Sequence, residues 1–245
     1  MRNIKLIIEY DGTNFHGWQT QRHLRTVQNT LEQALSRILR EKIRVVGSGR
    51  TDSGVHALGQ VANFKTKSKM AVKDMQRALN AILPQDLVVK GAKAVPLDFH
   101  ARFGAQSKTY RYTILNRLFR STRDSRFSLF YPWPLDLKGM RKAAAALKGK
   151  NDFKSFQAAS KKLHSSIREV KSLRINQKGD FIYFDIEGTG FLYKMCRNIV
   201  GTLLEIGRGR FSASAASELL RKKNRCLSGP TAPACGLTLM KVKYH

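Results

Sequence analysis

Hydrophobic and polar positions follow two periods along the chain, and the changes between them mark its elements. Residues 4–10 alternate with a period of two and are rich in β-branched side chains, which is typical of a half-buried strand. Residues 27–39 place apolar side chains three and four positions apart, which is the spacing of one helix face. Because both patterns recur along the chain, we expect a mixture of helices and strands.

The first half of the chain predicts the element order βαββαβ. The predicted elements are a strand at 4–10, a helix at 27–39, strands at 42–46 and 58–65, a helix at 73–83 that Pro84 ends, and a strand at 87–95. This is the order of a ferredoxin-like unit.

The second half predicts the same order with longer decorations. Its predicted elements are a strand at 103–115, a helix at 136–147, paired strands at 166–175 and 181–187, helices at 191–206 and 212–221, and a strand at 236–244. The sequence therefore predicts an α+β fold of two ferredoxin-like, RRM-like halves, residues 1–101 and 102–245. We expect their strand edges to join into one continuous, mainly antiparallel sheet, with helices on one face and a catalytic cleft on the other.

The charge of the chain indicates a polyanionic partner. The 245 residues include 45 Lys and Arg against 17 Asp and Glu, which gives a net charge of +28. Such a field attracts nucleic acid. A membrane surface is the alternative, but no predicted helix joins a basic face to an apolar face rich in Trp and Phe, and no apolar run approaches the roughly 18 residues of a membrane span.

The three cysteines make a disulfide framework or a zinc site an unfavourable interpretation. Their number is odd and none of them lies in a C-x-x-C spacing. The amino terminus has no long apolar core of the kind found in signal peptides. We therefore predict a reduced, cytoplasmic protein with no metal.

The glycine-rich stretch 47–57 is the candidate for the chemistry. Its glycines permit tight turns and a close approach of backbone to a ligand. Asp52 lies at its centre, and Arg50 would project to the same side of an extended loop, where a guanidinium favours a charged carboxylate. Such a carboxylate can act as a nucleophile or a base. The alternative is an Asp that only caps its own turn, and His56 is either a second base or a packed side chain.

Two further elements carry candidate substrate contacts. On the strand around Tyr110, alternation places Lys108, Tyr110 and Tyr112 on one face, which suits a phosphate and an unstacked base. Ordinary sheet packing is the alternative interpretation. Arg197 lies off the apolar stripe of its helix, as either a solvated charge or a group of the active site.

The long connection from 116 to 134 is too long for a tight turn. It carries four arginines among Ser and Phe residues, at positions 117, 120, 123 and 126. It is either a solvated loop or an arm that contacts RNA or a second subunit.

Several stretches together resemble the tRNA pseudouridine synthase A family. They are residues 10–19 (Y-D-G-T-N-F-H-G-W-Q), the loop 49–57, the strand 108–112, the helical stretch 191–209 and the closing segment 232–237. The resemblance extends from end to end, and the pattern G-R-T-D-x-G-V-H-A in the loop is highly specific.

The resemblance implies an isomerase that converts uridine to pseudouridine in the anticodon stem-loop of tRNA, on its 3′ side at tRNA positions 38, 39 and 40. It implies a homodimer with the tRNA lying across both subunits. No cofactor is expected, because the reaction involves no redox change and no group donor. The base must leave its stack to be reached, and stacking on an aromatic ring offsets part of that cost.

The resemblance also assigns roles to residues. Asp52 corresponds to the essential aspartate and Arg50 to the arginine that pairs with it. Tyr110 corresponds to the tyrosine that stacks on the target base, and Arg197 to an arginine near the catalytic carboxylate. Lys108 and Leu237 complete the predicted substrate contacts. Whether Asp52 attacks the sugar, attacks the ring or removes a sugar proton stays open.

Two other classes of function compete with this interpretation. One is a non-catalytic RNA-binding protein of tandem RRM-like units, although the aromatic strand signature of an RRM is absent. The other is a nucleotide-binding enzyme that uses residues 47–49 as a phosphate loop, although the Lys-Ser/Thr that must follow such glycines is missing.

Overall fold

The computed structural model of the protein describes residues 1–159 and 165–244. Its regular elements are, in chain order, β1 (Arg2–Tyr10), α1 (Val27–Leu39), β2 (Val46–Gly47), β3 (His56–Thr66), α2 (Val72–Ile82), β4 (Leu87–Val95), β5 (Ser107–Leu115), β6 (Leu129–Phe130), α3 (Leu137–Ala146), β7 (Gly149–Asp152), β8 (Ile167–Lys178), β9 (Phe181–Gly188), α4 (Met195–Gly207), α5 (Ala215–Lys222) and β10 (Leu237–Lys243). The predicted α+β class with mainly antiparallel strands is confirmed.

The chain forms two compact units. Unit 1 contains residues 1–106 together with the residues from Leu239 onward, and unit 2 contains residues 107–238. Most of β10 therefore belongs to unit 1, although the sequence predicted that strand as part of the second half.

Unit 1 is a sheet with two helices packed against it. The strand order is β4-β1-β3-β10, and the short β2 pairs with β3. In β1 the side chains of Ile4, Leu6 and Ile8 are fully buried, and Leu6 lies opposite Ala62 of β3 and Ala92 of β4. This alternation is what the period-two pattern of the sequence predicts for a strand with one face on the core.

The predicted strand at 42–46 is wrong over most of its length. Only Val46, with the following Gly47, pairs with β3. Further back, the N–H of Ile43 donates to Ser36 Oγ at 3.1 Å and the N–H of Val45 donates to Glu32 Oε1 at 2.9 Å. Side chains of α1 thus satisfy the backbone groups that a neighbouring strand would otherwise have to satisfy.

Unit 2 is a sheet of order β5-β9-β8-β7, with the short β6 parallel to β5. Ile182, Phe184 and Ile186 alternate along β9 and are fully buried. Helix α3 is capped as predicted by Asp136, whose carboxylate accepts the N–H groups of Lys138 and Gly139.

Helix α4 begins later than the apolar pattern predicts. The pattern starts at Phe191, but Lys194 is left-handed with φ of 57°, so the regular helix begins at Met195. The N–H of Met195 donates to Leu192 O at 3.1 Å, which closes a turn over residues 192–195 at the start of the helix. The apolar stripe therefore includes that turn as well as the helix.

Within the described ranges, none of the helices has both the length and the apolar character that crossing a membrane demands.

Candidate active site

The glycine-rich stretch folds as a turn that begins at Asp52. The carbonyl of Asp52 accepts the N–H of Val55 at 3.1 Å. Gly54, in the third position of this turn, has φ of 77°, which a glycine adopts without strain. Asp52 itself is half-buried. The turn therefore has a fixed backbone at the residue that the sequence singled out for the chemistry.

A second loop of unit 1, residues 12–18, packs against this turn through backbone hydrogen bonds. The N–H of Trp18 donates to Thr51 O at 3.1 Å, and the N–H of Gly54 donates to Phe15 O at 3.3 Å. The N–H of Gly12 donates to His56 Nδ1 at 3.0 Å. Since these bonds lie on both sides of Asp52 in sequence, they limit the movement of the turn.

Gly17 allows the two loops to approach this closely. A Cβ on Gly17 would lie 2.6 Å from Thr51 O and 3.1 Å from the carbonyl carbon of Asp52. Its φ of 82° is also in the left-handed region. Only glycine fits this position without displacing the backbone of the turn.

An aromatic cluster of three residues contacts the turn through the hydroxyl of Tyr10. Tyr10 packs edge-on against Phe15 and at a tilt against Trp18, with 6.4 Å between ring centroids in both pairs. Its hydroxyl lies 2.9 Å from Thr51 Oγ1. Burial raises the pKa of Tyr10 to about 12. The tyrosine is therefore neutral at physiological pH and holds Thr51 by a neutral hydrogen bond.

His56 serves as an anchor in this arrangement. It is buried, and the lone pair of Nδ1 is engaged by the N–H of Gly12. Asp11 Oδ1 also approaches Nδ1 to 3.2 Å, but a nitrogen that accepts the Gly12 proton cannot at the same time donate to a carboxylate. The structure thus supports the packed interpretation of His56 rather than the second base.

Arg50 is exposed, and its Nε donates to Gln19 Oε1 at 3.0 Å. This partner lies on the second loop, 31 residues away in sequence, and the sequence pattern gave no sign of it. The pairing of Arg50 with Asp52 stays a prediction.

In unit 2, the two tyrosines of β5 have different surroundings. Tyr112 is fully buried and its hydroxyl donates to Pro233 O at 2.8 Å. Tyr110 is 7% exposed and meets Phe191 edge-on, with 5.4 Å between ring centroids. Lys108 is half-buried on the same strand. Tyr112 is therefore a core residue, while the stacking role of Tyr110 and the phosphate role of Lys108 stay predictions.

Arg197 is half-buried on α4 and is bound to the closing segment of unit 2. Its Nε donates to Ala232 O at 2.7 Å, and the N–H of Ala232 donates to Arg197 O at 3.2 Å. Leu237, which begins β10, is 5% exposed. Like Arg197, it keeps its predicted substrate role as a prediction.

A polar cluster beside Arg197 was missed by the sequence reasoning. Asn198 is fully buried, and its Oδ1 accepts from Thr231 Oγ1 at 2.6 Å and from Arg225 Nη2 at 3.2 Å. Arg225 also donates to the carbonyl of Gly229 at 2.9 Å. These bonds hold residues 225–232 against α4. The signal available in the sequence was an asparagine next to Arg197 in a helix with a long apolar stripe.

The connection 116–134 is held in shape by hydrogen bonds within unit 2. Asn116 Nδ2 donates to the carbonyls of Tyr131 and Trp133, and Arg117 Nε donates to Phe119 O at 2.8 Å. Phe119 is 75% exposed. These bonds fix the backbone of the connection, and the arm that contacts RNA or a second subunit stays a prediction beside the solvated loop.

Comparison with known proteins decides the family. The family described as tRNA pseudouridine synthase matches residues 6–104 and 143–245. The chain belongs to the tRNA pseudouridine synthase family.

Full-length relatives agree with this assignment. The chain is 45% identical over 244 residues to tRNA pseudouridine synthase A of Thermoanaerobacter sp. (strain X514), with all of both chains covered. It is 46% identical over 247 residues to the protein of the same name from Citrifermentans bemidjiense, covering 100% of this chain and 98% of that one. A chain in the crystal structure of a Cbf5-Nop10-Gar1 complex matches 84% of this chain and 55% of its own length at 12% identity, but its TM-score of 0.33 supports no conclusion.

As a tRNA pseudouridine synthase, the protein isomerises uridine to pseudouridine in tRNA. The resemblance noted in the sequence is thereby confirmed. The alternative of a non-catalytic protein of tandem RRM-like units is not supported.

We expect Gly17→Ala to impair this enzyme through the turn. The new Cβ meets Thr51 O, and moving a reacting group by about 1 Å can cost on the order of 100-fold in rate. The expected result is a fall of at least about tenfold in kcat, measured as pseudouridine formed on tRNA under saturation.

The matched control is Gly179→Ala. Gly179 also has a positive φ, 57°, but nothing lies within 4 Å of its Cβ position. It carries the same kind of backbone cost, about 1–2 kcal/mol, without touching the turn. Equal kcat losses in the two variants would show that Gly17 matters only for stability.

Proposed function

We propose that Asp52 is the catalytic carboxylate of this enzyme, acting as nucleophile or base on uridines in the anticodon stem-loop of tRNA, on its 3′ side. The observation that carries the proposal is the backbone of the turn: Asp52 begins it, and hydrogen bonds from residues 12–18 fix it on both sides. A positioned carboxylate on a restrained backbone is what such chemistry requires.

The reaction is an isomerisation with one bond broken and one formed. The bond from sugar C1′ to uracil N1 breaks, and a bond from C1′ to C5 forms. The proton on C5 leaves and N1 gains one, so the product has the composition of the substrate. Asp52 serves by attacking the sugar, attacking the ring or removing a sugar proton, and each of these requires the charged form.

The other predicted residues complete the proposal. Arg50 orients the Asp52 turn and its substrate, and Tyr110 stacks on the uracil after it leaves its helix, a contact worth about 1–3 kcal/mol. Arg197 and Lys108 bind the RNA, and Leu237 contacts the base. We assign the catalytic loop to the amino-terminal half, residues 1–101, and the substrate-facing strand and helix to the half formed by 102–245.

We expect Asp52→Asn to bind tRNA within about threefold of the wild-type Kd while losing more than about 1000-fold in kcat, because loss of a catalytic nucleophile removes the reaction path rather than the binding surface. Filter binding and primer extension after carbodiimide treatment measure the two quantities. Asp74→Asn, on the exposed side of α2, is the control and keeps full activity. Turnover by Asp52→Asn close to that of the wild type would refute the role.

We expect product only where uridine occupies the 3′ side of the anticodon stem-loop. The reference transcript has cytidine in place of uridine at tRNA positions 38, 39 and 40. It is compared with transcripts in which uridine is restored at one of these three positions at a time. The same enzyme preparation is used throughout. Pseudouridine at another site in the cytidine transcript would overturn the stem-loop assignment and leave the role of Asp52 untouched.

We also propose that the cytoplasmic enzyme is a homodimer, as the family resemblance implies. Light scattering of the purified protein without tRNA is expected to give twice the mass of one chain at micromolar concentration. A single-chain mass across that range would contradict the dimer.

A further inference from the structure

A chain of side-chain hydrogen bonds joins Arg50 to helix α1. Arg50 Nε donates to Gln19 Oε1 at 3.0 Å, Gln19 Nε2 donates to Gln28 Oε1 at 2.9 Å, and Gln28 Nε2 donates to Glu32 Oε1 at 2.9 Å. We call these four residues the amide relay. All of them belong to unit 1, and its three inner members are half-buried.

The relay has only one possible direction. Gln28 Nε2 faces two acceptors, the carboxylate of Glu32 and the carbonyl of Val45 at 3.1 Å. Its Oε1 must therefore face the other way, where it accepts from Gln19 and from the N–H of Thr20 at 3.2 Å. Because an amide has its donors on one side and its acceptor on the other, Gln19 then has to present its carbonyl to Arg50.

The far end of the relay is fixed to the backbone. Glu32 Oε1 also accepts the N–H of Val45 at 2.9 Å, and Gln28 donates to the carbonyl of the same residue. Hydrogen bonds aligned in one direction polarise one another. A negative carboxylate at the acceptor end therefore strengthens the bond that Gln19 makes to the positive guanidinium at the other end.

We propose that Gln19, Gln28 and Glu32 are positioning residues that set the orientation of the Arg50 guanidinium for pseudouridine formation. The proposal rests on the catalytic role proposed for the loop that carries Arg50. Gln19 accepts the hydrogen bond from Arg50 Nε. The terminal nitrogens, Nη1 and Nη2, therefore face other acceptors. The Asp52 carboxylate and an RNA phosphate are the acceptors that suit this edge.

Gln28→Met tests the relay, because it keeps the length of the side chain and removes both polar ends. We expect kcat to fall by about 10- to 100-fold through misorientation of Arg50, with KM for tRNA changed by less than about twofold. Gln33→Met is the control: Gln33 is an exposed residue of the same helix, and its kcat is expected to stay at the wild-type value. Unchanged kcat in Gln28→Met would overturn the proposal.

A double-mutant cycle with Arg50→Lys separates positioning from a structural effect. Lysine lacks the Nε–H that donates to Gln19 Oε1. Gln28→Met should therefore have no further effect on kcat in the Arg50→Lys background. Multiplicative losses would show that Gln28 acts independently of Arg50 and would overturn the relay. Full activity of Arg50→Lys alone would refute the proposed role of Arg50 itself, which is a separate failure.

Two substitutions of Glu32 test the relay even if Gln28→Met folds poorly. Glu32→Gln keeps an acceptor oxygen where Oε1 receives Gln28 Nε2 and the N–H of Val45, so kcat should stay within about threefold of the wild type. Glu32→Leu removes that acceptor and should lower kcat by about tenfold or more through misorientation of Arg50. Equal kcat in the two variants, with both proteins folded by thermal unfolding, would overturn the proposal.

Discussion

The close approach of two loops is the constraint on which the rest of unit 1 depends. Residues 12–18 lie against the turn at Asp52 with no side chain between the two backbones at Gly17. Backbone contacts of this kind tolerate little displacement, because carbonyl and amide groups cannot change rotamer as side chains do. Two side chains add to these backbone contacts. The hydroxyl of Tyr10 forms a hydrogen bond with Thr51 Oγ1, and His56 Nδ1 accepts the N–H of Gly12.

This rigidity suits an acidic group in a strongly basic protein. A net charge of +28 draws RNA toward the protein, but a phosphodiester repels a carboxylate. A carboxylate on a mobile loop would turn away from the incoming RNA. The energy that holds the Asp52 backbone comes from neutral hydrogen bonds and aromatic packing in unit 1, which salt does not screen. Hydrogen bonds and aromatic packing therefore position the carboxylate, whereas the net positive charge attracts the RNA.

The sequence predicted those elements whose pattern and end signals agree. Helix α1 and strand β4 have the bounds that the pattern predicted. Thr26 caps the start of α1, and a turn at Pro84 precedes β4. The prediction of a strand at 42–46 was wrong because side chains of α1 accept hydrogen bonds from its backbone, and no local sequence pattern shows this. The turn at Asp52 was found from its glycines. The partner of Arg50 was not, since Gln19 becomes its neighbour only through the packing of two loops.

The arrangement of unit 1 also bears on how the protein is made. Its strand β10 lies beside β3, yet the ribosome synthesises the whole of unit 2, residues 107–238, before the unit 1 part of that strand emerges. Until then, this edge of β3 is paired with β2 at Ala62 and Asn63 but lacks β10 beyond them, and unpaired strand edges are sites of aggregation in partly folded chains. The loop that carries Asp52, although encoded early, thus belongs to a unit that is completed late in translation.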